Sequence, residues 1–135
     1  MDPPASQRSL LMILARNLTS RLASPVWVVD GTGTVVYFNE AAETILGRRF
    51  LEGSGMPAEE WSTLFQPVDE DGNPVPYERL PLALAIRKGY PDHQTLTIRS
   101  ADGVLRKIEA TAFPLCAHPD ECVGAVAIFW ESSEA

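Results

Sequence analysis

The sequence predicts an α+β fold in which one antiparallel sheet of five strands carries short helices on one face. Two β-rich runs separated by turn residues lie near the start, and three further runs with strand-like alternation fill the last third. The residues between these groups show helical patterns and breaks rich in Gly and Pro. A pair and a trio of antiparallel strands with helices between them are typical of a single curved sheet. An amphipathic helix is expected before the sheet.

Length and charge limit the function classes. The chain has 135 residues, of which 45% are hydrophobic, enough for one domain with one core. A net charge of −7, with basic residues clustered only as pairs, disfavours binding to nucleic acid. No apolar run approaches the roughly 20 residues that cross a bilayer, so no membrane contact is expected. Two cysteines and no export signal predict a cytoplasmic location.

Residues 1–23 are expected to form an irregular start followed by an amphipathic helix. Pro3 and Pro4 exclude regular structure at the beginning, and a helix follows over about residues 9–22. Its apolar face has the spacing i, i+3, i+7 and i+11 and consists of Leu11, Leu14, Leu18 and Leu22. Such a helix buries this face either on its own domain or on a second subunit, and we expect it to form a homodimer contact.

The next elements follow from turn and capping signals. Residues 26–29 and 34–38 are strand-like and are separated by the turn residues 30–33, which together predict a hairpin. Asn39 is well placed as the N-cap of a helix over residues 40–46, and Gly47 ends that helix.

The second half of the chain predicts one more helix and the remaining strands. Pro81 suits the first turn of a helix that reaches residue 88, where Gly89 follows. The expected strands cover residues 95–99, 105–113 and 122–130, with a connection over residues 116–121.

The order of these motifs resembles a PAS domain. Residues 25–42 contain an apolar strand, Asp30-x-x-Gly33, a second strand and then Asn39-x-Ala41-Ala42, as PAS domains do at their start. Residues 71–89 are similar to the middle of many bacterial PAS sequences, in which a Pro-Leu-Ala helix closes on Gly.

The closing hairpins complete the resemblance. Residues 102–115 and 123–129 are similar to the last strands of that family, so the resemblance defines a domain over residues 24–131 and a tail over residues 132–135. Many PAS domains end in an Asp-Ile-Thr-like segment that leads to an output helix, and residues 131–133 match it in part. The chain is therefore either a stand-alone module or a fragment of a larger protein.

The resemblance implies a sensory or signalling module rather than an enzyme. PAS domains sense small ligands, cofactors, redox state or light, or they dimerise kinases, cyclases and transcription regulators. A helix before the domain often mediates that dimerisation. We expect a non-catalytic homodimer that binds a small ligand or a partner protein, either alone, in a sensor kinase of a two-component system, or in a regulator of transcription.

The pocket between sheet and helices would be lined by aromatic and aliphatic side chains. The aromatic candidates are Tyr37, Phe38, Trp61, Phe65 and Tyr90. The aliphatic candidates are Leu84, Ile86, Leu96 and Ile98. Core packing alone would explain every one of these residues equally well.

Two other function classes are open alternatives. A haem sensor would need a histidine from the helix before the third strand, but His93 lies past that helix. A flavin sensor of the light-sensing subclass would need a cysteine that residues 48–52 lack, so no cofactor is named. A small isomerase or hydrolase would need a buried carboxylate such as Glu109, which alternation instead directs away from the core. No catalytic residue is therefore assigned.

One short segment carries metal-ligand residue types. Cys116, His118 and Cys122 are groups that Zn²⁺ accepts, but their spacing matches no standard zinc site. The two cysteines flank a hairpin loop and could instead form a disulfide or remain unrelated thiols. We predict no metal site.

Overall fold

The predicted architecture is confirmed by a computed structural model that describes residues 13–15, 18, 22–49, 55–118 and 121–132. The elements in chain order are β1 (Val26–Asp30), β2 (Val35–Phe38), α1 (Glu40–Leu46), α2 (Ala58–Leu64), a 3₁₀ turn (Tyr77–Arg79), α3 (Pro81–Lys88), β3 (Asp92–Arg99), β4 (Leu105–His118) and β5 (Glu121–Glu131). The strands form one sheet in the order β2-β1-β5-β4-β3, with antiparallel neighbours throughout. The early pair and the late trio therefore join through β1 and β5.

The sheet is apolar on both faces near its centre. Successive side chains of a strand point to opposite faces, so Trp27 and Val29 pack in the main core with the helices. Val26 and Val28 form a second, smaller apolar cluster with Val126. This two-sided burial explains why β5 is almost wholly apolar in sequence.

β1 and β5 approach each other closely at one glycine. Gly124 pairs with Asp30, and a Cβ atom at Gly124 would overlap the carbonyl oxygen of Val29. Any larger residue would force the two central strands apart, because the atom it meets belongs to the backbone.

The side chain of Asn39 connects three parts of the chain and is only 2% exposed. Its Oδ1 accepts hydrogen bonds from the backbone N–H groups of Val26 and Ala42, both at 3.0 Å. Its Nδ2 donates to the carbonyl oxygens of Leu22 at 3.3 Å and Ser24 at 2.9 Å. The predicted N-cap of α1 is thus confirmed, and the same amide also fixes the segment that leads into β1.

β1 and β5 extend one residue or so beyond the predicted bounds, whereas β3 and β4 extend by three residues or more. β3 begins at Asp92 rather than at residue 95, and β4 continues to His118 rather than ending at residue 113. The expected connection over residues 116–121 is therefore wrong, since Cys116 pairs with Cys122 and His118 with Glu121. Hydrogen bonds to a neighbouring strand stabilise these residues in extended structure although their own β-propensity is low.

The N-terminal segment is helical at residues 13–15 and 18, but not at residue 22, where the sequence predicts the helix still to continue. Leu14, Leu18 and Leu22 are 55%, 66% and 38% exposed, whereas Ala15 is buried. Leu11, the irregular start and the end of the tail lie outside the described residues. No helix in the described ranges is long and apolar enough to span a membrane.

Replacing Asn39 with alanine is expected to lower the free energy of unfolding by about 2–4 kcal/mol, because it removes a helix cap and leaves buried backbone groups without partners. Urea denaturation measures this loss. The matched control is Asn73→Ala at an exposed turn residue, which should change stability by less than about 0.5 kcal/mol. Equal losses in the two variants would contradict the role of Asn39.

Candidate functional site

A cavity of about 80 Å³ lies between the sheet and the helices. Its sheet wall is formed by Leu96, Ile98, Ile108, Ala110, Ala127 and Phe129. Trp27, Trp61, Phe65, Leu80 and Leu82 belong to the rest of the wall. None of these side chains is titratable, so the cavity suits an uncharged, largely apolar occupant.

Strand alternation and two small residues create this space. On β3, β4 and β5 every second residue points toward the helices, which places Leu96, Ile98 and Ile108 in the wall. Ala110 on β4 and Ala127 on β5 occupy equivalent inward positions with only a methyl group each. Room therefore remains between the strands and the helical layer.

Aromatic rings pack around Trp27 at one end of the cavity. The indole of Trp27 stacks on Phe38 with ring centroids 5.6 Å apart. It meets Trp61 and Phe65 edge to face at 5.2 and 5.7 Å. Trp27 was not among the pocket residues expected from the sequence, although the alternation of β1 places it on the same face as the buried Val29.

A hydrogen bond fixes the position of α2 over the first hairpin. Trp61 Nε1–H donates to the carbonyl oxygen of Gly33 at 2.9 Å, and its ring meets Tyr77 edge to face at 5.6 Å. Burial raises the pKa of Tyr77 above its usual value, and the carboxylates of Asp30 and Glu78 raise it further. The Tyr77 hydroxyl is therefore neutral at physiological pH.

Of the nine pocket candidates from the sequence, four line the cavity and five do not. Trp61, Phe65, Leu96 and Ile98 line it. Tyr37, Phe38, Leu84, Ile86 and Tyr90 do not.

The reason differs among these five residues. Tyr37 points to the opposite face of the sheet, where it packs against the smaller apolar cluster, and Phe38 is buried behind the indole of Trp27. α3 turns Pro81, Leu82 and Ala85 inward. Leu84 and Ile86 consequently lie half-buried on its flanks. Tyr90 is 56% exposed beside the ammonium group of Lys88.

Neither histidine of the chain lies in the cavity wall, where a haem ligand would be needed. His93 lies on β3, not in a loop, and points outward, where Nδ1 meets Thr111 Oγ1 at 2.6 Å and Nε2 meets Glu109 Oε1 at 3.3 Å. His118 is exposed at the far end of β4. A cavity of about 80 Å³ is also well below the roughly 300 Å³ at which pockets for drug-sized ligands begin.

The cysteines and Glu109 lie away from the cavity. Cys116 and Cys122 form a disulfide across the β4–β5 hairpin. Their sulfur atoms are therefore unavailable as thiolate ligands, which corrects the zinc alternative that included His118. Within the described ranges no group of three or more His, Cys, Asp or Glu side chains could hold a metal ion. Glu109 points away from the core, as alternation predicts.

Comparison with known proteins agrees with this geometry. The family profile described as the PAS fold matches residues 19–135. No curated protein matches the sequence significantly.

Several solved structures of bacterial proteins have the same fold. The PAS domain of Bordetella pertussis BvgS has a TM-score of 0.59 at 15% identity, covering 91% of this chain and 86% of its own. The PAS domain of nitrogen regulation protein NR(II) from Vibrio parahaemolyticus has a TM-score of 0.60 at 16% identity, covering 88% and 98%. The LOV domain of the Erythrobacter litoralis EL346 blue-light activated histidine kinase has a TM-score of 0.63 at 22% identity, covering 84% and 100%. At these identities the likeness shows the fold.

Filling the cavity is expected to be tolerated, whereas adding the same bulk beside it is not. Ala110→Leu should change the free energy of unfolding by less than about 1 kcal/mol, because the new side chain enters existing space. Ala112→Leu, two residues along the same strand and fully buried outside the cavity, should cost about 1–3 kcal/mol through overpacking. Chemical denaturation of both variants tests this, and equal costs would argue against the cavity.

Proposed function

Because the chain belongs to the PAS fold family, we propose that it is the sensory module of a signalling protein and that it binds a small molecule in the cavity between sheet and helices. The observation that carries this proposal is the uncharged cavity beneath α3, whose wall includes residues of four strands of the sheet. A protein interior without a binding role is normally filled to high density.

Ligand binding would act by favouring one of two conformations of the domain. A ligand shifts such an equilibrium only by its difference in affinity for the two states. The cavity wall includes β1 through Trp27 and β5 through Ala127 and Phe129, the two central strands. Phe38, which stacks on Trp27, is followed directly by Asn39 and its hydrogen bonds to the N-terminal segment. A movement of Trp27 would therefore reach the N-terminal segment through only two residues, Phe38 and Asn39.

We further propose that the module acts as a homodimer through its N-terminal helix. Leu14, Leu18 and Leu22 present apolar side chains to solvent at helical spacing in the sequence, and Leu11 extends this spacing. Covering such a stripe with its counterpart from a second copy removes apolar surface from water.

The host protein is proposed from the kinds of protein that share the fold. The similar structures include a domain of a blue-light activated histidine kinase and a domain of a nitrogen regulation protein. We infer that this domain acts on an output or partner protein, in a sensor kinase or a transcription regulator or alone, in the cytoplasm, and that it does not itself catalyse a reaction.

Methylenecyclopentane, a small uncharged hydrocarbon, is expected to bind in the cavity and raise the melting temperature. At ten times its dissociation constant it should stabilise the native state by about 1.4 kcal/mol, a rise of a few degrees. Ala110→Leu should abolish this rise because it occupies the same space.

The matched control is Thr111→Leu, which adds bulk to the neighbouring residue on the outer face of the sheet. It should respond to the hydrocarbon as the wild type does. Differential scanning calorimetry measures all three proteins. No rise in the wild type, or the same rise in Ala110→Leu, would refute ligand binding at this site.

The double variant Leu14→Asp, Leu18→Asp is expected to convert the dimer to a monomer, because two carboxylates cannot be buried in an apolar interface without partners. Analytical ultracentrifugation measures the change in mass. Leu105→Asp is the matched control, since Leu105 is 61% exposed on β4, away from the helix. A wild-type monomer, or an unchanged dimer in the double variant, would rule out this interface.

A further inference from the structure

The indole nitrogen of Trp27 is a buried donor without an acceptor. Trp27 is 4% exposed, and its Nε1 is the one buried side-chain nitrogen or oxygen among the described residues that has no hydrogen-bond partner. Trp61, in the same cavity wall, instead donates to Gly33. A buried polar group without a partner is destabilising, so native proteins rarely retain one without a reason.

A water molecule would satisfy this donor poorly. Trp27 and Trp61 are the only residues of the cavity wall whose side chains carry a polar atom, and Trp61 is already bonded. A buried water needs two to four polar partners, but it would find only one here. An organic molecule with a single acceptor and an apolar remainder matches both the donor and the wall.

We propose that the ligand of this domain is a small, uncharged, mainly apolar molecule with one acceptor oxygen, such as a ketone, that accepts a hydrogen bond from Trp27 Nε1–H. This rests on the proposed function, because it names the ligand class of the same cavity. One water molecule needs roughly 10–15 Å³ of such cavity volume, so about 80 Å³ limits the ligand to about five to eight non-hydrogen atoms. A charged ligand is excluded by the absence of any opposite charge in the wall.

The hydrogen bond requires the Trp27 ring to rotate. No polar atom forms part of the cavity surface, so Nε1 does not face the cavity in this conformation and would reach a ligand only after the ring turns. The ring that turns is stacked on Phe38, the residue before Asn39. Binding of a ligand with an acceptor would thus turn the Trp27 ring against Phe38, whereas binding of a hydrocarbon would not.

The test compares two ligands of nearly the same shape, cyclopentanone and methylenecyclopentane, which differ in C=O against C=CH₂. Burying a carbonyl without a partner weakens binding by about tenfold or more, and a hydrogen bond restores this loss. The measured quantity is the ratio of the dissociation constant of the ketone to that of the alkene. Trp27→Phe should raise this ratio by about tenfold.

The matched control is Trp61→Phe, which removes the other indole N–H of the wall, the one already bonded to Gly33. It should leave the ratio unchanged. In ¹⁵N-labelled wild-type protein, the ketone should shift the Trp27 indole N–H resonance downfield and the alkene should not. Spectra of Trp61→Phe and Trp130→Phe assign that resonance by elimination, so the readout does not depend on the folding of Trp27→Phe.

The outcomes separate this inference from the proposed function. Suppose that the alkene binds to the wild type. If the Trp27 resonance then does not respond to the ketone, or if Trp27→Phe and the wild type have the same ratio, the hydrogen bond is refuted but ligand binding in the cavity is retained. If neither compound binds to the wild type, both proposals fail. A raised ratio in Trp61→Phe equal to that in Trp27→Phe would also overturn the role of Trp27.

Discussion

Four hydrogen bonds from the buried amide of Asn39 hold the segment before β1, the start of β1 and the start of α1 in one arrangement. An amide is required because the site presents two N–H groups and two carbonyl oxygens, and a carboxylate could satisfy only the N–H groups. The position of β1 depends on this contact. Since β1 lies between β2 and β5, the joining of the two strand groups into one sheet depends on it as well.

The sequence predicted those parts of the structure that have local causes. The N-cap role of Asn39 and the end of α1 at Gly47 follow from neighbouring residues, and both are present. The other bonds of Asn39 join it to residues 13 to 17 positions earlier in the chain, a separation at which no spacing rule applies. The fold class was accessible because five alternating runs and their turns are each local features.

The candidate site was only partly predictable, because its wall depends on how elements rotate against each other. Leu84 and Ile86 have the right chemistry, but the packing of α3 turns Pro81, Leu82 and Ala85 toward the sheet instead. His93 belongs to β3 because it pairs with Thr111 on β4, which lies 18 residues further along the chain. Trp27 could have been found from the alternation of β1, but its missing hydrogen-bond partner is visible only in three dimensions.

The strand order also determines where the chain enters and leaves the sheet. β1 and β5 are adjacent and antiparallel, Val26 lies opposite Ile128, and the N–H of Phe129 donates to the carbonyl of Pro25 at 3.0 Å. The polypeptide therefore arrives and departs at the same corner of the domain, side by side. The segment before β1 and the end of β5 are in direct contact, and no part of the core lies between them.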